Sequence, residues 1–226
     1  MATRFTSAMT MNWSGRIDHM RIGIFGGTFD PPHIGHLILA AEALEQLKLD
    51  KVLWALTADP PHKQGQVISP VDVRLQLLQA ALADNSAFEI SRVEIDRPGP
   101  HYAVDTVRIL QEQYAQAALI YLFGSDSLRD LISWHTPQDL TARVGGYGVM
   151  HRPDIEVDLA TLERDIPGIT AKVQFIDSPL VEISARQIRQ RAAAGQTYRY
   201  FLPQQVFDLV EAFNLYRPVG IQEEGK

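Results

Sequence analysis

The sequence predicts an α/β protein built on a doubly wound parallel sheet. Three observations carry that expectation. Short apolar runs of strand type alternate with helix-forming segments along the chain, which calls for parallel strands joined by right-handed crossovers. The run Leu119-Ile120-Tyr121-Leu122-Phe123 is apolar throughout, as befits a central strand covered on both faces. Each polar cluster with chemical potential follows a strand run directly or lies in the loop after one, and in such sheets ligands bind beyond the carboxyl ends of the strands.

The elements follow in order. Residues 1–19 are polar with no sustained period, and are expected to be a disordered extension or the product of a start assigned upstream of Met20. Arg21 to Phe25 is the first strand, and Leu37 to Leu47 is strongly helix-forming with apolar residues at helical spacing. Lys51 to Leu56 is the second strand, followed by a loop stiffened by Pro60 and Pro61. Ser69 reads as an N-cap, with Pro70 at the first helical position and Asp72 facing the free N–H groups of a helix to about Ala83. Phe88 to Ser91 is the third strand. The loop from Glu94 leads into a helix through about Gln116, and Leu119 to Phe123 delivers Gly124-Ser125-Asp126 at its end. Thr136, Pro137 and Asp139 form another cap, and Gly146 to Met150 and Lys172 to Ile176 are the last strands. Ser184 and Gln187 fit a capping box, and Gly195 can end that helix. Residues 218–226 read as a loose tail.

The chain is organised around Gly26-Gly27-Thr28-Phe29-Asp30-Pro31-Pro32-His33-Ile34-Gly35-His36, a strand-to-helix turn. Gly26 and Gly27, lacking Cβ, let the backbone approach a ligand closely. His33 and His36 are three apart at a helix start and share one face. A helix N-terminus offers free N–H groups and a positive dipole end, which suits phosphate. Two imidazoles aimed there point to a polyphosphate bound and worked on. The turn lacks the Lys-Ser/Thr ending of a P-loop and is not a G-x-G-x-x-G turn. Near the C-terminus, Arg186 and Arg189 share a face close to another helix start, which fits either a second anion grip or a capped surface helix with solvated arginines.

Composition bounds the rest. Of 226 residues, 46% are hydrophobic and 21% charged, ordinary for a soluble globular chain and enough for one α/β domain with a full core. A net charge of −6 argues against broad nucleic-acid binding but not against a nucleotide site. The absence of cysteine excludes disulfides and thiolate metal sites and fits a cytoplasmic setting. No apolar run approaches a membrane span, and the N-terminus has no signal-peptide core.

The central turn resembles the G-G-x-F-D-P-x-H-x-G-H motif of the nucleotidylyltransferase superfamily, and further segments narrow the likeness. Pro60-Pro61-His62-Lys63 resembles the P-P-H-K loop of bacterial nicotinate-nucleotide adenylyltransferases. Tyr102 to Thr106 resembles their S-Y-T-x-D-T, and Gly124 to Leu128 with Trp134 their G-x-D-x-L…W block. Ile183 to Arg189 is similar to I-S-S-T-x-I-R, and Tyr198 to Pro203 to the segment that opens the closing helix. The resemblance implies a Rossmann-like single nucleotidylyltransferase domain over residues 20–217. It implies transfer of AMP from ATP to nicotinate mononucleotide, giving deamido-NAD and pyrophosphate in NAD biosynthesis, with Mg²⁺ held mainly by ATP phosphates. Expected partners are those two substrates, without nucleic acid or membrane; a homo-oligomer is left open.

By resemblance, His33 and His36 contact the ATP phosphates, and His36 stabilises charge at the α-phosphate. Arg189 grips the β- and γ-phosphates with Ser184. Gly26, Gly27, Thr28 and Phe29 complete the ATP turn, and Gly124 and Asp126 meet the adenosine ribose. On the nicotinate mononucleotide side stand Lys63, Ala103, Asp105, Thr106, Trp134 and His135. Trp134 is the platform for the pyridine ring, and backbone N–H groups at Ala103 and His135 bind the carboxylate. Two departures matter: the late motif has Ala185 and Arg186 for Ser and Thr, and Ala103 replaces a Thr. The alternatives are another branch such as the pantetheine-phosphate enzyme, a nucleotide sensor without turnover, and a zinc site at His33 and His36. For zinc, no third ligand is identifiable.

Overall fold

A computed structural model describes residues 20–59, 67–151, 155–179 and 181–218. Six strands form one sheet: β1 Arg21–Gly27, β2 Lys51–Leu56, β3 Phe88–Ser91, β4 Ala118–Gly124, β5 Gly146–Met150 and β6 Val173–Ile176. All neighbours pair parallel, in the order β3-β2-β1-β4-β5-β6. The order reverses between β1 and β4, the place where such sheets bind ligands at their strand ends. The expected doubly wound sheet is therefore present.

The period-2 alternation of the central strands explains why both faces are covered. From β1, Ile22 and Ile24 join one core and Phe25 the other. From β4, Leu119, Tyr121 and Phe123 go with the isoleucines, and Ile120 and Leu122 with Phe25. Five of the seven β4 side chains are buried, so the strand has no solvent face. Helices α1 Ile34–Gln46, α2 Val71–Leu82, α7 Ala185–Ala193 and α8 Gln204–Ala212 cover the Phe25 face. Helices α3 Ala103–Gln113, α4 Ser125–Arg129, α5 Pro137–Arg143 and α6 Leu159–Asp165 lie with the other core. Among the described residues no helix is long and apolar enough to cross a membrane.

Helix starts follow the sequence at α7, in part at α5, and not at α2. Ser184 caps α7, its hydroxyl accepting from Gln187 N–H at 3.2 Å. Thr136 precedes α5 with Pro137 at its first position, but with a left-handed φ of 45° and no side-chain cap bond. At α2 the expected cap moves by one residue. Pro70 occupies the cap position, and Ser69 instead gives its N–H to the Asp30 carboxylate at 3.1 Å. A tertiary acceptor has won over local capping. Helix α6, capped by Asp158, has no counterpart in the sequence expectations. The expected extension 1–19, Lys63 with its loop, and the tail from 219 onward lie outside the described residues.

Candidate active site

The turn after β1 lies at the strand-order reversal. His33 is the N-cap residue of α1, in extended backbone with φ −136°. Its N–H donates to Nδ1 of His36 at 3.1 Å, and its carbonyl accepts from His36 N–H at 2.9 Å. The two rings stack with centroids 3.6 Å apart and planes 23° apart. The shared face expected from the spacing is real, and the two imidazoles act as one unit. An accepting Nδ1 assigns the proton of a neutral His36 to Nε2, so the ring presents a donor suited to a phosphate oxygen.

Aromatic packing fixes the turn from below. Phe29 has a left-handed φ of 47°, a conformation costing an L-residue roughly 1–2 kcal/mol. Burial offsets that cost: its ring is 2% exposed and makes contacts at 5.5 Å with Phe25, 5.2 Å with Trp54 and 5.2 Å with His36. The ring lies over Gly27, where an added Cβ would come within 2.8 Å of it. An added Cβ on Gly26 would come within 2.9 Å of the Tyr121 hydroxyl. The packing gives the two glycines a second reason: part of the space their missing side chains leave is taken by the protein's own aromatic residues.

A residue absent from the sequence expectations ties the loops together. Arg74, on α2, is 1% exposed. Its guanidinium donates to four backbone carbonyls: Ser69 at 2.8 Å, Thr28 at 2.9 Å, Thr57 at 2.8 Å and Ala58 at 3.0 Å. It thereby joins the turns after β1 and β2 to the start of α2. Burial pulls its pKa down, opposed by the nearby Asp30 carboxylate. Arg74 has Leu77, Leu78 and Ala81 as buried neighbours along the helix. A charge at helical spacing within that apolar stripe was the signal available.

Asp30 is the second hub, 3% exposed. Its carboxylate accepts from Ser69 N–H and, at 2.8 Å, from the Tyr216 hydroxyl. Its carbonyl accepts from the Arg189 guanidinium at 2.8 Å. So α7 delivers Arg189 to the turn that carries His33 and His36, while Arg186 is exposed. The packing of Gly35 against His33, with an added Cβ 3.8 Å from the Ile183 carbonyl, brings the segment before α7 to the same place.

Across the reversal, Gly124 ends β4 and precedes α4, whose first turn holds Asp126. Ser125 is 1% exposed and donates to the Met150 carbonyl at 2.9 Å, locking that turn onto β5. Trp134 is half-buried, its ring edge-on to Tyr121 and Phe123 at 5.9 Å each. Exposed His135 stacks on Tyr102 at 4.0 Å with planes 22° apart, which joins the Trp134 loop to the start of α3. Ala103 opens α3, and Asp105 stands in its first turn. Thr106 departs from expectation: it is fully buried, and its hydroxyl donates to Glu94 at 2.6 Å. Its hydroxyl is engaged inside the protein, with Glu94. Behind it lie Glu94, Arg97 and His101, and burial with Arg97 holds the His101 pKa down. Among the described residues no three His, Cys, Asp or Glu side chains converge as a metal cage.

Comparison with known proteins places the family and the fold. Residues 24–191 match the family model described as cytidylyltransferase-like. A relative from Thermomicrobium roseum is 46% identical over 199 residues, spanning 88% of this chain and 92% of its own; one from Exiguobacterium sibiricum is 43% identical over 198 residues, spanning 87% and 99%. Both carry the name "Probable nicotinate-nucleotide adenylyltransferase". The fold matches the nicotinic acid mononucleotide adenylyltransferase of Plasmodium falciparum, solved with APC (TM-score 0.72) and with NaAD (TM-score 0.73). Each match is at 17% identity over 88% of this chain and 98% of that one. A stacked histidine pair at the sheet's reversal, the arginine brought to it from α7 and relatives above 40% identity over nearly their full length converge: the chain belongs to the cytidylyltransferase-like family, among the nicotinate-nucleotide adenylyltransferases.

Proposed function

We propose that this protein transfers the AMP moiety of ATP to nicotinate mononucleotide, forming deamido-NAD and releasing pyrophosphate. The observation that carries this reading is the joining of His33, His36 and Arg189 around one turn at the sheet's reversal. A phosphate oxygen of the mononucleotide attacks the α-phosphorus of ATP in line. The bond from that phosphorus to the bridging oxygen breaks, and the electron pair leaves with pyrophosphate. The attacking oxygen is already ionised at neutral pH, so no protein nucleophile and no covalent intermediate are needed. What remains is to bring two anions together and hold the charge that builds on the leaving group.

Each residue has a physical part in that task. His36, with its proton on Nε2, donates to the α-phosphate, and His33 both fixes its tautomer and lines the same face. Arg189 supplies charge to the β- and γ-phosphates, with the Ser184 hydroxyl at the start of its helix. Gly124 and Asp126 meet the ribose from across the reversal. The Trp134 ring faces the pyridine, and the backbone at Ala103 and His135 meets the carboxylate. Lys63 is assigned to the mononucleotide side from the resemblance alone. The described residues offer no metal cage, so the Mg²⁺ expected with ATP would ride on the phosphates.

Pyrophosphate release with ATP and Mg²⁺ tests the reading, with nicotinate mononucleotide compared against nicotinamide mononucleotide. Strong preference for the acid is expected. Equal rates would place the fault at Ala103, where the family has a hydroxyl. No release with either would overturn the assignment.

A further inference from the structure

The turn that carries the histidines is held from outside by a residue near the far end of the chain. The Tyr216 hydroxyl donates to the Asp30 carboxylate across 186 positions of sequence. Its backbone is in the left-handed region, φ 63°, as is that of Asn214 with φ 49°. Such conformations persist in non-glycine residues only where the surroundings over-determine them. Here they bend the chain after α8 back onto the active-site turn. Burial, and then the Asp30 charge, push the Tyr216 hydroxyl far above its ordinary pKa, so it stays a neutral donor.

Asp30 has two ends with different work. Its carboxylate is occupied by Tyr216 and by Ser69 N–H, while its carbonyl holds the Arg189 guanidinium. If the hydroxyl were removed, one carboxylate oxygen would lose its donor in a site 3% exposed. A buried carboxylate in that condition seeks the nearest cation. Arg74, which feels the Asp30 charge, is held by four backbone carbonyls, which leaves Arg189, bonded to the Asp30 carbonyl, as the cation that can turn toward it. We propose that Tyr216 is a positioning residue for adenylyl transfer: by satisfying the Asp30 carboxylate, it keeps Arg189 on the Asp30 carbonyl and aimed at the triphosphate. This rests on the reading of Arg189 as the β- and γ-phosphate grip.

The test is a set of kinetic measurements on Tyr216→Phe, Arg189→Lys and the double variant, with thermal melting of each. Tyr216→Phe keeps the ring and removes only the donor. Its kcat is expected to fall about tenfold, the effect of one hydrogen bond to a charged group, while KM for nicotinate mononucleotide stays within about twofold. Arg189→Lys is expected to be slower still, because an ammonium cannot reproduce the guanidinium fork. The double variant should be no slower than Arg189→Lys within about twofold, since the tyrosine acts through the arginine. Tyr216→Phe with near-normal kcat beside a slow Arg189→Lys would overturn the positioning role alone, whatever the melting temperature does. Losses that multiply in the double variant would overturn it too. A near-normal Arg189→Lys would overturn the reading of Arg189, and this proposal with it. Should Tyr216→Phe fail to fold, Asp30→Asn reads the same link. It removes the charge that competes for Arg189 but keeps the carbonyl, so a kcat loss multiplying with that of Arg189→Lys would refute the idea.

Discussion

Replacing Arg74 with methionine should loosen the loops around the histidine turn, although Arg74 is given no contact with substrate. Its guanidinium makes four hydrogen bonds to carbonyls from three segments, Thr28, Thr57 with Ala58, and Ser69. At about 1 kcal/mol net per bond, their loss amounts to roughly 4 kcal/mol. Two effects reduce that figure. The carbonyl-bearing residues are only half-buried, so water can replace part of what is lost. Methionine also removes the penalty of keeping a charge buried, the same penalty that pulls the Arg74 pKa down. A net loss of about 2–4 kcal/mol is therefore expected in urea unfolding. Activity should fall as well, because the Thr28 carbonyl stands one residue after Gly27 and one before Phe29. Arg74→Lys should recover less than half of the loss, since three donors on one atom cannot span four separated carbonyls. A methionine variant within about 1 kcal/mol of the parent, with normal turnover, would show that the four carbonyls are satisfied without Arg74 and refute the reasoning.

Two further outcomes are expected. His36→Ala should lower kcat by roughly a hundredfold while changing KM for ATP by less than about threefold, because its donor acts on charge that develops in the transition state. Equal losses in both would make it a binding residue only. At high pH, stability should fall as buried tyrosines are forced to ionise. Burial pushes the Tyr147 hydroxyl from 10.0 up to about 12, with its bond to Thr141 pulling the other way. A folded pKa above the unfolded one gives stability that is whole below the unfolded value and lost as pH rises through the folded one. Tyr147 thus contributes up to about 3 kcal/mol that disappears between roughly pH 10 and pH 12. Tyr147→Phe should flatten the dependence of unfolding free energy on pH in that window. An unchanged slope would show that Tyr147 ionises freely in the folded protein.

What could be read from the sequence was the part whose physics is local. The apolar runs announced the parallel sheet, because a strand covered on both faces has no polar positions to spare; the fully buried stretch of β4 is the plainest case. The histidine pair could be read because a spacing of three at a helix start imposes proximity whatever the tertiary structure does. Where a local rule met a tertiary partner, the partner prevailed. Ser69 has every quality of an N-cap, yet Pro70 takes the cap position and the Ser69 N–H goes to Asp30, 39 residues away in sequence. Thr106 belongs to a motif associated with ligand binding, but its hydroxyl is turned to Glu94.

The same principle explains why the supports of the site were harder to find than the site. Residues that touch a ligand are drawn from a small chemical vocabulary at fixed spacing, so they announce themselves. Residues that hold such a turn can be of many kinds, because their partners are backbone carbonyls and one carboxylate. Arg74 reaches Thr28 across 46 positions and Tyr216 reaches Asp30 across 186, distances at which no sequence period survives. What does survive is incongruity. An arginine on the apolar stripe of α2 and a buried aspartate between Phe29 and Pro31 each need a partner, since a charge so enclosed is stable only when donors or acceptors surround it. Asp30 draws its carboxylate's donors from the start of α2 and from the segment beyond α8, and its carbonyl holds Arg189 of α7, so three distant parts of the chain come to bear on the turn where the histidines stand. The buried charge is thus a means by which distant parts of the chain fix the geometry of its first loop, and disturbance at Tyr216 or Arg74 should be felt first at the histidine turn.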